Sequence, residues 1–478
     1  MVIALDIGTS STRAILYDDR GLKVEGAEHK VAHEPHTTPD GGVEHDASRL
    51  LDAAATCLDA LASRGDDIRA VAVSTFWHGL LGFDRDGRAA SPVYVWADTR
   101  SAAVAARLRQ EIDEARVHER TGCRLHSSYW PAKLRWLQET GGTAGIVRWG
   151  SLGELLALSW FGEGATSISM ASATGLFDQA AVRWDPEMLA IARVGTDMLF
   201  PLRDAGDAWR TLREPWASRW RALRGAAWFP AIGDGAASNV GSDCTTPQRI
   251  AVNVGTSSAM RIATTASPRA PEGLWRYRVD RQLSVLGGAL SEGGNVYAWC
   301  LQNLALPDEA AVEKALAAAE HDHGLIVLPF LAGERSVGWH DQARGAITGM
   351  SLDTTAIDIV RAALESVALR LALIYERLAP MAAPDHEVVV SGGAFGRSPA
   401  WIAMVADALG RSLTVSPESE ASSRGVALLA LRALGIVPDL PSTGAPGAKR
   451  VDPEPRRTER YRGLLERQRR LYRAVLEG

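Results

Sequence analysis

The residues with the clearest chemical potential sit in two short turns half a chain apart. The run Asp6-Ile7-Gly8-Thr9-Ser10-Ser11 sets successive backbone N–H groups and three hydroxyls around a glycine. Such a turn is a concave set of donors suited to phosphate oxygens. Asp6 adds a carboxylate of the kind magnesium accepts beside waters and phosphate oxygens. Residues 3–11 return as residues 250–258 with six of nine positions identical, and in the second copy Asn253 stands where Asp6 stood. One triphosphate gripped between two related turns needs the metal-binding charge on one side only. Either turn alone reads equally well as an ordinary hairpin; the repetition is what argues for a paired phosphate site.

Each copy must be positioned by a β-branched strand entering the turn and an apolar strand leaving it, residues 14–17 and 260–263. A further turn is expected at Asp18-Asp19-Arg20-Gly21. Two hairpins opening two halves indicate an internal duplication, with domains over 1–245 and 246–478. Elsewhere helical and strand signals alternate, the mark of α/β domains. Leu364, Val367, Leu371, Ile374, Tyr375 and Leu378 recur at helical spacing, followed by a strand at Val388-Val389-Val390 ending in Gly392-Gly393. Ser398, Pro399 and Gly410 frame a further helix. Residues 438–455 read as a surface loop, and Tyr461, Leu464, Leu465, Leu471, Tyr472 and Val475 as the apolar face of a terminal helix.

The chain has 478 residues, beyond the size at which one core stops growing, so two large domains are expected. Apolar residues make up 46% and charged residues 23%, an ordinary globular balance. A net charge of -5 provides no basic field for nucleic acid or an anionic membrane. Cys57, Cys123, Cys244 and Cys300 are scattered, without zinc or disulfide spacing. With no signal-peptide pattern and no membrane-length apolar run, a cytoplasmic setting is expected. Neither the Gly-x-x-x-x-Gly-Lys-Ser/Thr loop nor the His-Arg-Asp and Asp-Phe-Gly elements of protein kinases occur, which excludes the two common phosphotransfer folds.

Five segments in this order resemble the FGGY carbohydrate kinases: residues 6–11, Gly233-Asp234-Gly235-Ala236, Gly255-Thr256-Ser257, the run 328–335 ending in Gly333-Glu334-Arg335, and Ser391-Gly392-Gly393-Ala394. Gly42-Val43-Glu44-His45-Asp46 and Trp96-Ala97-Asp98-Thr99-Arg100 extend the likeness over nearly the whole chain. The resemblance implies two ribonuclease-H-like domains of the actin and hexokinase superfamily, with sugar and ATP in the cleft between them. It also implies that Asp234 is the general base and that Asp6 holds magnesium. Thr9, Ser10, Ser11, Gly255 and Thr256 would meet the phosphates. Gly293, Gly392, Gly393 and Arg397 would lie along the nucleotide, although relatives carry an amide or small polar residue where Arg397 stands.

The acceptor pocket implied by the same likeness involves Trp77, His78, Asp98, Arg100 and Ser128. Glycerol kinases carry Arg-Glu, and xylulokinases usually Met-His, at the position of Trp77-His78. The Trp-His pair, with residues 128–133 and 293–296, resembles the gluconokinase branch, so D-gluconate is the expected substrate and a pentulose the alternative. A tryptophan face suits the C–H surface of a polyol, and Arg100 or Lys133 would be the cation for a carboxylate. A sugar sensor or an actin-like ATPase is the competing class on the same fold. Retention of Asp6, Asp234 and both turns argues for an enzyme, and a homodimer is a family-level expectation. His29, His33, His36 and His45 are expected to be solvent-exposed rather than a metal cluster. Glu334 and Arg335 are expected to brace the cleft as an ion pair.

Overall fold

The computed structural model describes the chain except residues 65–66, 267, 319–321, 445–446 and 478. Its first sheet forms around β1 (Val2–Ile7), an apolar strand broken only by Asp6. That strand pairs antiparallel with β2 (Ser11–Tyr17), which pairs antiparallel with β3 (Lys23–Ala32). On its other side β1 runs parallel to β4 (Ala70–Thr75), which also takes β5 (Ala227–Trp228) and β6 (Ile232–Gly233) in parallel. Buried on both faces, β1 and β4 read as near-continuous apolar runs. Helix α1 (Ala47–Ala62), capped by the Asp46 carboxylate, packs on this sheet, and β6 runs directly into α2 (Asp234–Gly241).

The second sheet repeats the plan. β7 (Arg249–Val254) pairs antiparallel with β8 (Ser258–Thr264), and β9 (Trp275–Arg278) and β10 (Ser284–Leu290) complete that side. After α3 (Gly294–Asn303) and the long α4 (Ala356–Leu378), strand β11 (Glu387–Ser391) returns parallel to β7. The one-turn α5 (Gly393–Arg397) and α6 (Pro399–Leu409) lead to β12 (Leu413–Val415), parallel to β11. The two sheets therefore share a core order: antiparallel hairpin, then two parallel strands reached by helical crossovers. This is the duplicated, mixed α/β architecture of the actin and hexokinase class.

The local signals act where they were read. Ser398 Oγ accepts from Trp401 N at 3.2 Å, and Gly410 ends α6 at φ +59°. The turn at 18–21 closes through Gly21 N donating to Asp18 O at 3.0 Å. In the terminal helix, now α8 (Pro455–Tyr472) after α7 (Ala421–Ala433), Tyr461, Leu464 and Leu465 are buried. Val475, expected on that face, is exposed because the chain leaves α-geometry at Arg473.

One element goes where its position in sequence would not place it. Helix α7 lies in the C-terminal half, yet Val426, Ala427 and Leu431 enter the same core as β1 and β4. Its backbone meets that of α2 without intervening side chains: a Cβ on Gly425 would overlap the Ala237 carbonyl, and one on Gly241 the Ala421 carbonyl. Among the described residues no helix is long and apolar enough to cross a membrane.

Candidate active site

The two phosphate turns differ by one residue. In the first, Ile7 pairs with Thr12 and Gly8 N donates to Ser11 O at 2.9 Å. In the second, Val254 pairs with Ser258 and Gly255 N donates to Ser257 O at 3.0 Å. Ser10 and Thr256 are exposed, and Thr9 and Gly255 half-buried. The remaining hydroxyls serve the protein: Ser11 Oγ accepts from Arg13 at 3.2 Å, and Ser258 Oγ donates to Glu292 O at 2.7 Å. Each turn thus keeps a free rim above a tied base.

Asp6 ends β1 against Ser74 of β4, with Arg13 Nε 3.9 Å away. Arg13 is itself held by Glu420, which stands at the N-terminus of α7. Burial lifts the Asp6 pKa to about 6 against the pull of Arg13, and the charge of Asp234 adds to the rise. Asp234 opens α2, where Gly235 N donates to its Oδ1 at 2.8 Å. Its pKa is also raised, chiefly by burial, against the opposing pull of Arg261, the backbone N–H groups of Gly235 and Trp77, and Arg335. Two half-buried carboxylates that repel each other beside free N–H and hydroxyl rims are of the chemistry that a divalent cation and phosphate oxygens would fit, and Asp6 could be the protein ligand.

The acceptor side departs from expectation in three places. Trp77 is 5% exposed, its Nε1 donating to Ser169 O at 3.2 Å, with Tyr277 and Trp275 edge-on at 4.9 and 5.9 Å. Side chains at Gly233 or Gly235 would overlap its ring. Its indole is therefore a floor under the Gly233-Asp234-Gly235 segment rather than an open face, and Trp96 is a tryptophan that lines the open cleft. Arg100 is committed to Asp98 and, at 2.7 Å, to Glu44, stacked 4.8 Å from Trp136; its guanidinium is not free for a carboxylate. Lys133 is buried with Nζ donating to Ser128 O at 2.7 Å, and burial lowers its pKa to about 7.

His78 takes a positive φ of 67° and holds Ala173 O through Nδ1 at 2.7 Å. Burial first, then the neighbouring Arg335, press its pKa well below the usual value, so the ring is neutral. Ser128 Oγ donates to Trp96 O at 2.9 Å, and Trp96 Nε1 reaches Thr9 Oγ1 at 3.4 Å, linking the acceptor wall to the first phosphate turn. Trp96, Ser128, Thr256, Asn295, Arg335 and Asp341 surround a cavity of about 460 Å³ between the halves.

Beside the second turn, Gly293 lies flat on Ser257, and Gly294 N donates to Gly255 O at 2.7 Å. Gly392 takes φ +111°, and a side chain there would overlap Val254 O, whereas Gly393 faces open space. Arg397, at the end of α5, is exposed.

Other assignments change with the structure in view. Glu334 and Arg335 do not pair: Glu334 turns back to Arg370 and to Tyr472 Oη, the latter at 2.6 Å, while Arg335 turns into the cleft over Trp96 at 5.1 Å. His45, expected outside, is buried edge-on to His33 at 5.1 Å, and burial drops its pKa to about 4. No group of three or more metal-ligating side chains is found among the described residues. Sequence reading missed the tie between His126, Ser127 and Asp341, in which His126 Nε2 stands 3.0 Å from a carboxylate held down to about 2 chiefly by that ring. It joins segments 214 residues apart, and no local spacing announces it.

Two duplicated sheets, a donor-rich turn on each and two half-buried carboxylates beside the first are the parts of a phosphotransferase site. Comparison with known proteins gives the family: the N-terminal domain of the FGGY family of carbohydrate kinases matches residues 1–241, and its C-terminal domain residues 250–434. The chain belongs to the FGGY carbohydrate kinases, which are ATP-dependent. It is 25% identical to a gluconokinase of Bacillus subtilis over 91% of this chain and 88% of that one. It is 31% identical to a glycerol kinase of Rhizorhabdus wittichii over 77% and 75%. Solved structures of a gluconate kinase and a xylulose kinase from Lactobacillus acidophilus each match with a TM-score of 0.90, covering 99% of this chain and 98% of theirs, at 23% and 24% identity.

Proposed function

We propose that the protein transfers the γ-phosphoryl group of ATP to the terminal hydroxyl of D-gluconate, giving 6-phospho-D-gluconate and ADP, in the cytoplasm. The observation that carries the reading is Asp234, a half-buried carboxylate of raised pKa at the first turn of a helix, close enough to Asp6 beside the first phosphate turn to raise its pKa. Asp234 accepts the proton of the attacking hydroxyl as the acceptor oxygen bonds to phosphorus. Positioned base catalysis of this kind is worth about 10² to 10⁴-fold, and alignment and charge neutralisation supply the rest.

Thr9, Ser10 and Ser11 on one side and Gly255 and Thr256 on the other hold phosphate oxygens, while Gly293, Gly392 and Gly393 let the backbone run close to the nucleoside. Residues 1–245 supply the acceptor site and the base, residues 246–478 the nucleotide site. Asp6 would hold magnesium, which would supply charge neutralisation at the phosphate oxygens. With Nδ1–H donating to Ala173 O, neutral His78 keeps Nε2 as an acceptor for a polyol hydroxyl. Likeness to the Bacillus subtilis gluconokinase along most of both chains supports gluconate as the acceptor.

The test is ADP release with ATP and magnesium against gluconate, xylulose, ribulose and glycerol, with Asp234→Ala as control. Gluconate-dependent turnover lost in the control is the expected result. Turnover with a different acceptor overturns the substrate, and turnover with none overturns the kinase reading.

A further inference from the structure

Six arginines are buried among the described residues: Arg249, Arg276, Arg278, Arg335, Arg361 and Arg370. Burying a guanidinium is tolerated when an acid or carbonyl answers it. Arg249 has Glu387 at 2.5 Å, Arg276 has Pro268 O at 2.6 Å, Arg278 has Arg281 O at 2.7 Å, Arg361 has Ala315 O at 2.8 Å and Arg370 has Glu334. Arg335 alone has none. Its Nε is buried without a partner, and no ion pair or hydrogen bond of its guanidinium is found among the described residues.

The position of that unanswered charge is specific. Arg335 is 9% exposed and lies over Trp96, whose Nε1 reaches Thr9 of the first phosphate turn. It lines the same cavity as Thr256 of the second turn. It is near enough to Asp234 and His78 to bear on the titration of both. Arg261, with Nε and Nη1 also buried and unpartnered, sits against Gly235 beside the base. The neighbouring acid that could have neutralised Arg335, Glu334, is turned away and held by Arg370 and Tyr472.

We propose that Arg335 contacts the phosphoryl group in transit between ATP and the acceptor, stabilising the charge on its equatorial oxygens. The inference rests on the kinase reading above but not on the identity of the acceptor. In the step it serves, the acceptor oxygen bonds to phosphorus and its proton passes to Asp234. The bond from phosphorus to the β,γ-bridging oxygen breaks, and its electron pair leaves with ADP. A rigid fork of donors fixed before the reaction is the arrangement that favours a transition state over a ground state.

The test compares wild type with Arg335→Met and Arg335→Lys in two assays, with thermal unfolding recorded to show that each variant folds. The first is steady-state turnover with gluconate and with whichever neutral acceptor is active. The second is calorimetric binding of magnesium-ADP with and without aluminium fluoride, a mimic of the phosphoryl group in transit. Expected for Arg335→Met is a fall in kcat of about 10² to 10³-fold with every acceptor, little change in acceptor KM, unchanged binding of ADP, and loss of the extra affinity brought by aluminium fluoride. Arg335→Lys should recover part of both losses. A loss confined to KM for gluconate would overturn the proposal and make Arg335 a seat for the substrate carboxylate. Equal weakening of ADP with and without fluoride, or a variant that does not fold while Arg335→Lys is fully active, would also overturn it and leave Arg335 a structural residue. If gluconate proves not to be the acceptor, the kcat and fluoride results with the true acceptor decide the matter unchanged.

Discussion

The two phosphate turns share six of nine residues and differ in charge. The first carries Asp6 within a chain of charge, Glu420 to Arg13 to Asp6, with Asp234 across from it. The second has Asn253, whose Nδ2 donates to Ser391 Oγ at 3.2 Å, and its hairpin is one residue tighter. The first hairpin stores unfavourable electrostatics, a half-buried acid raised to about 6; the second carries a neutral amide with a hydrogen-bond partner. On the proposed function, the strained copy would hold the cation and the relaxed copy phosphate.

The sharpest way to break the contrast is to make the first turn like the second. Asp6→Asn should lower kcat by about 10² to 10³-fold, measured at saturating ATP and magnesium. It should also stabilise the ligand-free protein. The folded pKa of Asp6 lies above its unfolded value of 3.8, so its favourable contribution is complete below pH 4 and is lost as pH rises through about 6. At pH 7.5 the variant should therefore gain up to about 3 kcal/mol, read as a raised Tm, and that gain should vanish near pH 4.

Next in size is the pH profile of the unaltered enzyme. The proposed function requires both Asp6 and Asp234 ionised, and both are raised, so kcat/KM should rise with pH through about 6, steeper than tenfold per unit on the acid side. A flat profile from pH 5 to 8 would contradict the strain assigned to the first turn. The converse substitution, Asn253→Asp, puts a carboxylate where phosphate is expected and should weaken ADP binding about tenfold by calorimetry. The smallest effect is expected from Gly8→Ala and Gly255→Ala. Around either position a methyl group meets no atom closer than 3.5 Å, so each variant should unfold within about 1 kcal/mol of wild type while losing a few-fold in nucleotide affinity.

Much of this frame was legible in the sequence because it is written in local terms. A repeated strand and turn, a Ser-Pro helix start and a glycine helix end each depend on neighbours a few residues away. What escaped reading depends on distant neighbours. Trp77 looks like a sugar platform until Trp275 and Tyr277 close over it from the other half. Arg100 looks like a carboxylate reader until Glu44 claims it. Glu334 and Arg335 are adjacent in sequence, and their side chains point to different environments, which no spacing rule could reveal.

The crossing helix α7 bears on how the chain is born. Residues as late as Leu431 are needed to complete the core around Val2 and Ala72, so the first half cannot close when it leaves the ribosome at Gly241. At 5–20 residues per second the gap is on the order of 10 to 40 s, during which β1 and β4 wait with a face uncovered. The dependence also means that the two halves, expressed as separate polypeptides cut between α2 and β7, should be insoluble alone and find each other only when made together.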